Sequence, residues 1–483
     1  MHEMLKRLFE RRFGEPPAAI ARVAADGSQR AYYRLTGAGQ QVIGAVGPDR
    51  DENRAFLSFS TSFRSIGLPV PEIFAADEEA GVWLAEDLGN TTLFAALSET
   101  RGPDESFPEA MLPVYRRVVE VLPRFQVEGG RVADYGVAYP RAAFDRQSML
   151  WDLNYFKYHF LKLAHIPFNE QRLENDFSTL ADFLLDADTT HFLYRDFQSR
   201  NIMLRDGRPW FLDYQGGRRG APHYDIASLL YDAKAAIPDA TRDVLLGHYL
   251  AALTRLLPLD PDLFRIRYRG YVIIRIMQAM GAYGYRGFYE RKPRFLQSVP
   301  YAAKNIDRLL EVGLPIALPE LESVFARIVD AWADSAGRVE PLPGLTVHVQ
   351  SFSYRQGYPE DHTGHGGGFV FDCRALPNPG RLPEFEAHTG RDADVIAYIE
   401  RAAEAEGFWT SVVSLVDTSV EEYKRRQFSD LTVSFGCTGG QHRSVYFAER
   451  LARHLRERYP DIGVRLVHRE QDRWPAREPA WTR

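Results

Sequence analysis

An Asp and an Asn stand five positions apart in Tyr194-Arg-Asp-Phe-Gln-Ser-Arg-Asn201, and Leu212-Asp-Tyr-Gln215 follows shortly after. Phosphoryl transfer needs a carboxylate to receive or orient an attacking hydroxyl, and oxygen ligands that hold Mg²⁺ against nucleotide phosphates. Asp196 has the chemistry for the first role, and Asn201 and Asp213 for the second, since hard oxygen donors suit Mg²⁺. Asp and Asn also cap ordinary turns, so an isolated pair at this spacing carries little. The apolar-flanked Asp213 and the downstream Tyr224-Asp225-Ile-Ala-Ser make the combination specific.

A second constellation lies near the end of the chain. Leu431-Thr-Val-Ser-Phe435 runs into Gly436-Cys-Thr-Gly-Gly-Gln-His-Arg-Ser444, directly before a helical pattern. A strand, a Gly-rich turn and a helix N-terminus converge backbone N–H groups on an anion. Gly439 and Gly440 permit close backbone approach, and Arg443 can add a charge-assisted contact. Cys437 and Arg443 also have the C-x5-R spacing of a cysteine phosphatase, with a thiolate nucleophile and Asp372 as a candidate acid. Binding without hydrolysis and Cys437-dependent hydrolysis are both open at this stage. His362 and His365, beside Asp361 in a Gly-rich run, read as a mobile loop more than as a metal site.

The elements that must position these residues follow from periodicity. Residues 1–88 begin with a helical stretch. Strand-like Ala31–Leu35, Gln41–Ala45 and Gly81–Glu86 follow, with a helix over Asp51–Ile66. Residues 89–335 are mostly helical, notably Asp225–Ile237 and Tyr268–Met280, interrupted by a strand-like island over His191–Asp213. Residues 336–344 hold two Pro and two Gly and read as a linker. Residues 345–483 alternate strands (Leu345–Gln350, Phe369–Asp372, Leu431–Phe435) with helices (Asp394–Gly407, Ser444–Arg458), an α/β pattern of its own.

The catalytic-loop residues, with Leu212-Asp213 and Asp225, resemble the aminoglycoside phosphotransferase and choline kinase family. That resemblance covers 1–335 and implies an α+β, protein-kinase-like, two-lobed fold using ATP and Mg²⁺. It implies Asp196 as the catalytic residue and Asn201 and Asp213 as metal ligands. Ser28 and Arg30 would lie over the nucleotide phosphates, Glu86 and Leu88 at the adenine hinge, and Asp225 behind the catalytic loop. Tyr194 replaces the family's His. The strand expected to carry the nucleotide-binding Lys reads Val42-Ile-Gly-Ala-Val-Gly47, and the nearest cations are Arg30, Arg34 and Arg50. The longer runs Phe192–Met203 and Gly220–Leu230 resemble bacterial anomeric kinases of N-acetylmuramate and N-acetylglucosamine, which also lack that Lys. This implies transfer to the C1 hydroxyl of an amino sugar. Trp151–Tyr158 has the aromatic and amide groups that bind sugars, though helix packing is the commoner use. Arg275 could face the substrate or pair at a helix end.

The Gly-rich loop, with Val349-Gln-Ser-Phe352 and Phe371–Pro379, resembles the C-terminal domain of the RapZ family of RNase adapters. It implies a separate α/β domain with a strand–Gly-rich loop–helix anion site for a sugar phosphate. Contacts would come from Asp372, Arg374, Cys437, Thr438, Gly439, Gly440, Gln441, His442, Arg443 and Ser444. The family's RNA role is not carried over, because residues 345–483 have a net charge of −2.

Composition bounds the rest. The chain has 483 residues, 59 basic against 65 acidic, 45% apolar and 26% charged. That is an ordinary globular composition of about three folding units, without the positive charge expected of a nucleic-acid or membrane-surface binder. Two cysteines exclude a disulfide framework and fit a reducing compartment. The first residues lack a signal-peptide core, and Gly270–Tyr285 is short and interrupted by Arg275 and Gln278, so a cytoplasmic protein without a membrane span is expected. The reading that follows is an ATP-dependent amino-sugar kinase joined to a sugar-phosphate-binding domain. Alternatives are a choline- or aminoglycoside-type kinase, a kinase–cysteine phosphatase fusion, or a non-catalytic adapter.

Overall fold

A computed structural model of the chain describes residues 2–23, 30–102, 106–333, 345–359, 368–426 and 428–474. Ser28, the expected linker over 336–344, and the His362/His365 stretch lie outside the described residues. The chain divides into two compact units, Met1–Tyr285 with Phe295–Gly337, and Arg286–Arg294 with Arg338–Arg483.

The first unit opens on an antiparallel sheet of order β1-β2-β3-β5-β4. Its strands are β1 (Ala19–Val23), β2 (Ala31–Gly37), β3 (Gln40–Val46), β4 (Ile73–Asp77) and β5 (Val82–Glu86). The helix His2–Phe13 lays Leu5, Leu8 and Phe9 on Tyr33, Leu35, Val42 and Leu84, which closes one face of the sheet. Between β3 and β4 runs the helix Arg50–Ser65, started by Asp49, whose side chain accepts from the N–H groups of Asp51 and Glu52. Phe56 of this helix stacks on Tyr214 at 5.2 Å, and Ser60 Oγ lies 2.5 Å from the Tyr214 hydroxyl. The helix is thereby fixed to the segment that carries Asp213.

The remainder of this unit is helical around two antiparallel pairs, β6 (His191–Leu193) with β9 (Arg218–Gly220), and β7 (Ile202–Arg205) with β8 (Arg208–Phe211). The long helix Pro261–Gly284 starts with Asp260 as cap and Pro261 at its first position. It packs on the helix Arg146–Phe156 through glycines. A Cβ on Gly281 would meet Phe156 N at 2.9 Å, and one on Gly284 would collide with the His159 carbonyl. Among the described residues, no helix is long and apolar enough to cross a membrane.

The second unit holds a parallel sheet of order β11-β12-β10-β13, made of β10 (Thr346–Ser353), β11 (Gly368–Asp372), β12 (Asp430–Cys437) and β13 (Gly463–His468). Its core gathers Val347, Val349, Val433 and Phe435 from the sheet with Val412, Val416, Phe447 and Leu451 from helices. Because all neighbours are parallel, the ends of the four strands share one edge, where ligand sites of open α/β sheets lie.

Two expected helices are redrawn. The predicted helix over Asp225–Ile237 is the shorter His223–Leu230, because Tyr231 leaves helical geometry and Ala236 takes a φ of +46°. The stretch Asp394–Gly407 is parts of two helices, Ala393–Glu400 and Ala403–Arg426. Gly407 sits inside the second, its absent side chain facing open space, so it does not act as a stop.

Alanine at Gly281 tests the close helix approach. It gains about 0.5–1 kcal/mol of helix preference but forces backbone apart at a cost of about 1–3 kcal/mol. Urea unfolding is therefore expected to show a net loss of stability.

Candidate active site and phosphate loop

The candidate catalytic loop, Tyr194–Asn201, hangs from one buried carboxylate. Asp225 is fully buried on the helix His223–Leu230. Its Oδ2 accepts the Tyr194 N–H at 2.9 Å and its Oδ1 accepts the Arg195 N–H at 3.0 Å. The Gln126 amide donates to Oδ2 at 3.1 Å, and Gln126 Oε1 accepts from the Tyr249 hydroxyl at 2.6 Å. Burial pushes the Asp225 carboxyl up to about 7, while these donors pull it down. The gripped backbone is strained. Arg195 has φ of +81°, a region that side chains with a Cβ rarely adopt. Its guanidinium donates twice to Asp152, both at 2.7 Å, and to the Tyr224 hydroxyl at 2.8 Å.

Held in this way, the loop turns Asp196 toward Asp213. Asn201 Nδ2 bridges the two segments, donating at 2.9 Å to the Asp196 carbonyl and at 2.9 Å to Asp213 Oδ2. Gln215 Nε2 donates to Asp213 Oδ1 at 2.7 Å. Burial, with the neighbouring Asp196 charge next, pushes Asp213 up to about 6. Asp213 also sits at φ of +68°, so both segments flanking the cluster are held in uncommon conformations. Tyr194, standing where the resemblance expects His, donates its hydroxyl to the Leu212 carbonyl at 2.5 Å and ties the same two segments together.

Three arginines were candidates to replace the missing strand Lys, and two of them part ways here. Arg34 is engaged by Asp87 at 2.5 and 2.9 Å. Arg30, 6% exposed, donates to Glu52 Oε2 at 3.0 Å from the start of β2. Its charge also lowers Asp213. Arg30 is thus a cation paired to a Glu of the helix after β3 and close to Asp213. Glu86 ends β5 and its carboxylate takes Arg205 at 2.6 Å, while the Leu88 side chain is buried. Arg275 donates to Ser228 Oγ at 2.8 Å and to Gln278 at 2.7 Å, a helix-packing role. Of Trp151–Tyr158, Asp152 turns out to hold Arg195, whereas Trp151 and Tyr158 are exposed. Arg218, buried and donating to the Gly216 carbonyl at 2.9 Å, is a further cation beside this cluster that the sequence did not signal. Burial and the nearby Arg195 charge depress it to about 10.

In the second unit, β12 ends at Cys437 and the loop closes on its sulfur. The Gly440 N–H donates to Cys437 Sγ at 3.2 Å, and Ser444 Oγ lies 3.1 Å from it. Gly440 has φ of +68°, and Trp474 Nε1 donates to its carbonyl at 3.3 Å. Thr438 is tied by its carbonyl to Ser353 Oγ at 2.8 Å, and a side chain on Gly439 would meet open space. Gln441 donates to the Glu386 and His388 carbonyls at 2.9 and 2.7 Å. His442 Nε2 stands 2.9 Å from the Phe385 carbonyl. Arg443 Nη1 donates to the Arg374 and Leu376 carbonyls at 3.0 and 2.7 Å, and its buried Nε has no partner among the described residues. Asp372 and Arg374 pair with each other at 2.7 Å at the end of β11. A cysteine phosphatase needs thiolate and guanidinium turned on one phosphate. Here Arg443 Nη1 fastens the backbone, and Cys437 is buried among N–H and hydroxyl partners.

Residues 19–259 match the phosphotransferase enzyme family, and residues 345–472 match the RapZ C-terminal domain. The first unit carries a phosphotransferase domain. Solved structures similar to the phosphotransferase domain include the choline kinase LicA from Streptococcus pneumoniae. It is 12% identical with a TM-score of 0.40, and the match covers 62% of this chain and 98% of that one. An ADP-bound aminoglycoside phosphotransferase, APH(2'')-Ib, is 12% identical with a TM-score of 0.42, over 70% of this chain and 99% of that one. The second unit carries a RapZ C-terminal domain. A nucleotide-binding protein of Xanthomonas oryzae pv. oryzae is 44% identical over 129 residues, 26% of this chain and 43% of that protein. One from a Jannaschia species is 41% identical over 135 residues, 28% of this chain and 40% of that protein. The chain thus spans under half the length of the curated relatives it matches.

The Asp152–Arg195 pair gives a direct test of how the phosphotransferase loop is held. Asp152→Ala leaves the guanidinium buried and uncompensated, for an expected loss of about 3–5 kcal/mol in urea unfolding. Asp152→Asn, which keeps an acceptor oxygen, is expected to lose less.

Proposed function

We propose that the phosphotransferase domain transfers the γ-phosphoryl group of ATP to the C1 hydroxyl of an amino sugar of the N-acetylglucosamine or N-acetylmuramate type. The observation that supports it best is the cluster of Asp196, Asn201 and Asp213, joined through Asn201 Nδ2 and kept in shape by Asp225. In this reading the acceptor oxygen bonds to the γ-phosphorus as the bond to the β–γ bridging oxygen breaks. The hydroxyl proton passes to the Asp196 carboxylate. An anomeric hydroxyl is more acidic than an ordinary alcohol, so orientation contributes more than basicity. Arg30, steered by Glu52, takes the phosphate-binding role of the absent strand Lys. The hinge backbone at Glu86 and Leu88 receives adenine. Asn201 and Asp213 are the hard oxygen donors that would hold Mg²⁺, which supplies charge neutralisation on the phosphates when bound.

For the RapZ C-terminal domain, the reading is binding of a phosphorylated hexosamine at the loop Cys437–Ser444. The loop's backbone N–H groups and open Gly439 face support it, and the use of Arg443 on carbonyls favours binding over hydrolysis.

Phosphorus NMR of the full chain with Mg-ATP and a panel of amino sugars tests the kinase. An anomeric phosphate signal is expected. It should fall by about 10²-fold or more in Asp196→Asn, and Arg30→Ala should raise KM for ATP. A 6-phosphate product would refute the C1 assignment. Choline or aminoglycoside turnover would replace the acceptor class, and no ATP consumption with any acceptor would favour the adapter. Calorimetric titration with glucosamine 6-phosphate tests the second unit. Binding lost in Gly439→Asp is expected, and phosphate release dependent on Cys437 would reverse the reading in favour of hydrolysis.

A further inference from the structure

The chain has two cysteines, and the fold sets them side by side. Strands β11 and β12 pair in parallel with Asp372 opposite Gly436. Cys373 opens the short 3-10 turn Cys373–Ala375 directly after β11, and Cys437 is the last residue of β12, so each follows directly on a paired residue. Two residues before each cysteine, Phe371 and Phe435 stack at 5.5 Å between ring centroids. Side chains repeat every second residue along a strand, and Asp372 keeps extended backbone at φ −89° and ψ 106°, so Cys373 leaves β11 on the face of Phe371, the face that Cys437 shares with Phe435 on β12. Both belong to one buried cluster with Phe435 and Phe447. The strand spacing of about 4.8 Å applies to the paired Asp372 and Gly436, which brings the cysteines that follow them close to the window of about 4.4–6.8 Å that a disulfide allows between Cα atoms. Burial, and next the nearby Cys437, raises the Cys373 thiol.

We infer that Cys373 and Cys437 are an oxidative modification site, closing to an intramolecular disulfide under a peroxide. Cys437 is the less enclosed of the two, at 3% against 0% exposed, and it borders the Gly-rich loop. Peroxide transfers one oxygen to Cys437 Sγ, giving a sulfenic acid and water. The Cys373 sulfur then attacks Cys437 Sγ. The S–S bond forms as the S–O bond breaks, and the departing hydroxide takes the Cys373 proton as a second water. The two thiols together lose two electrons and the peroxide gains them.

The same sulfur organises the loop. Cys437 Sγ accepts the Gly440 N–H and meets Ser444 Oγ. Bonding it to Cys373 draws it off both partners and reshapes the turn. Loss of anion binding on oxidation rests on the proposed sugar-phosphate reading, whereas disulfide formation does not.

The test treats the reduced full chain with hydrogen peroxide and measures intact mass and non-reduced peptide maps. Expected is loss of two hydrogens, a cross-linked peptide pair carrying Cys373 and Cys437 within one chain, and reversal by dithiothreitol. In Cys373→Ala the same treatment should instead add oxygen at Cys437. Wild-type protein that only gains oxygen, cross-links between chains, or keeps both thiols free would overturn the site. In parallel, inorganic phosphate is titrated into the reduced and oxidised chains. Oxidation should weaken binding by about tenfold, the size of one lost hydrogen bond. Equal binding by both forms would overturn the effect on the loop. No binding by the reduced form would refute the anion reading and leave the mass result to decide the disulfide.

Discussion

Asp225 is the constraint on which the phosphotransferase site depends. A carboxylate with no exposure to water is unfavourable in itself, and it is kept by spending its lone pairs on backbone N–H groups that have no ladder partner. That exchange does two things at once. It satisfies donors that a tight turn leaves over, and it holds Arg195 in a conformation that the chain would otherwise relax. The arrangement is cooperative, since Gln126 and Tyr249 fix the carboxylate from behind. Loss of any member would loosen the position of Asp196 without touching it.

The upper sheet brings a cation to the neighbourhood of Asp213, although β3 itself carries no Lys. Arg30 reaches from the next strand, and Glu52 directs it from a helix anchored by aromatic packing on Tyr214. A guanidinium is longer and more planar than an ammonium, so it can enter from further away and still pair with a carboxylate. Sheet, helix and the segment carrying Asp213 are thereby linked through one ion pair and one ring stack.

Much of this was legible in the sequence where the signal is local. Asp196, Asn201 and Asp213 lie within 18 residues of one another, and their spacing announces them. The Gly-rich loop is contiguous, and the strands β2, β3, β5, β10 and β12 alternate or run apolar as strands should. Asp152 and Gln126 were not legible as partners of the catalytic loop, because each arrives from a distant helix and looks like any polar helical residue. The same holds for β9, three residues long, which pairing with β6 creates and no periodicity could reveal. Arg443 shows a different limit. Its spacing from Cys437 suggests a phosphate contact, and only the fold shows that the carbonyls of Arg374 and Leu376 also engage its Nη1. Spacing states what a residue can reach and is silent on what reaches it first.

The anchoring of Gln441, His442 and Arg443 has a mechanical consequence. Each fastens to a carbonyl in the stretch 374–388, so the turn after β12 and the stretch after β11 form one stiff body. A ligand or a covalent change at the turn cannot be absorbed by a side chain swinging aside. It must be passed on as a displacement of the adjoining segment. The loop is therefore braced on the neighbouring segment and is no free-standing flap.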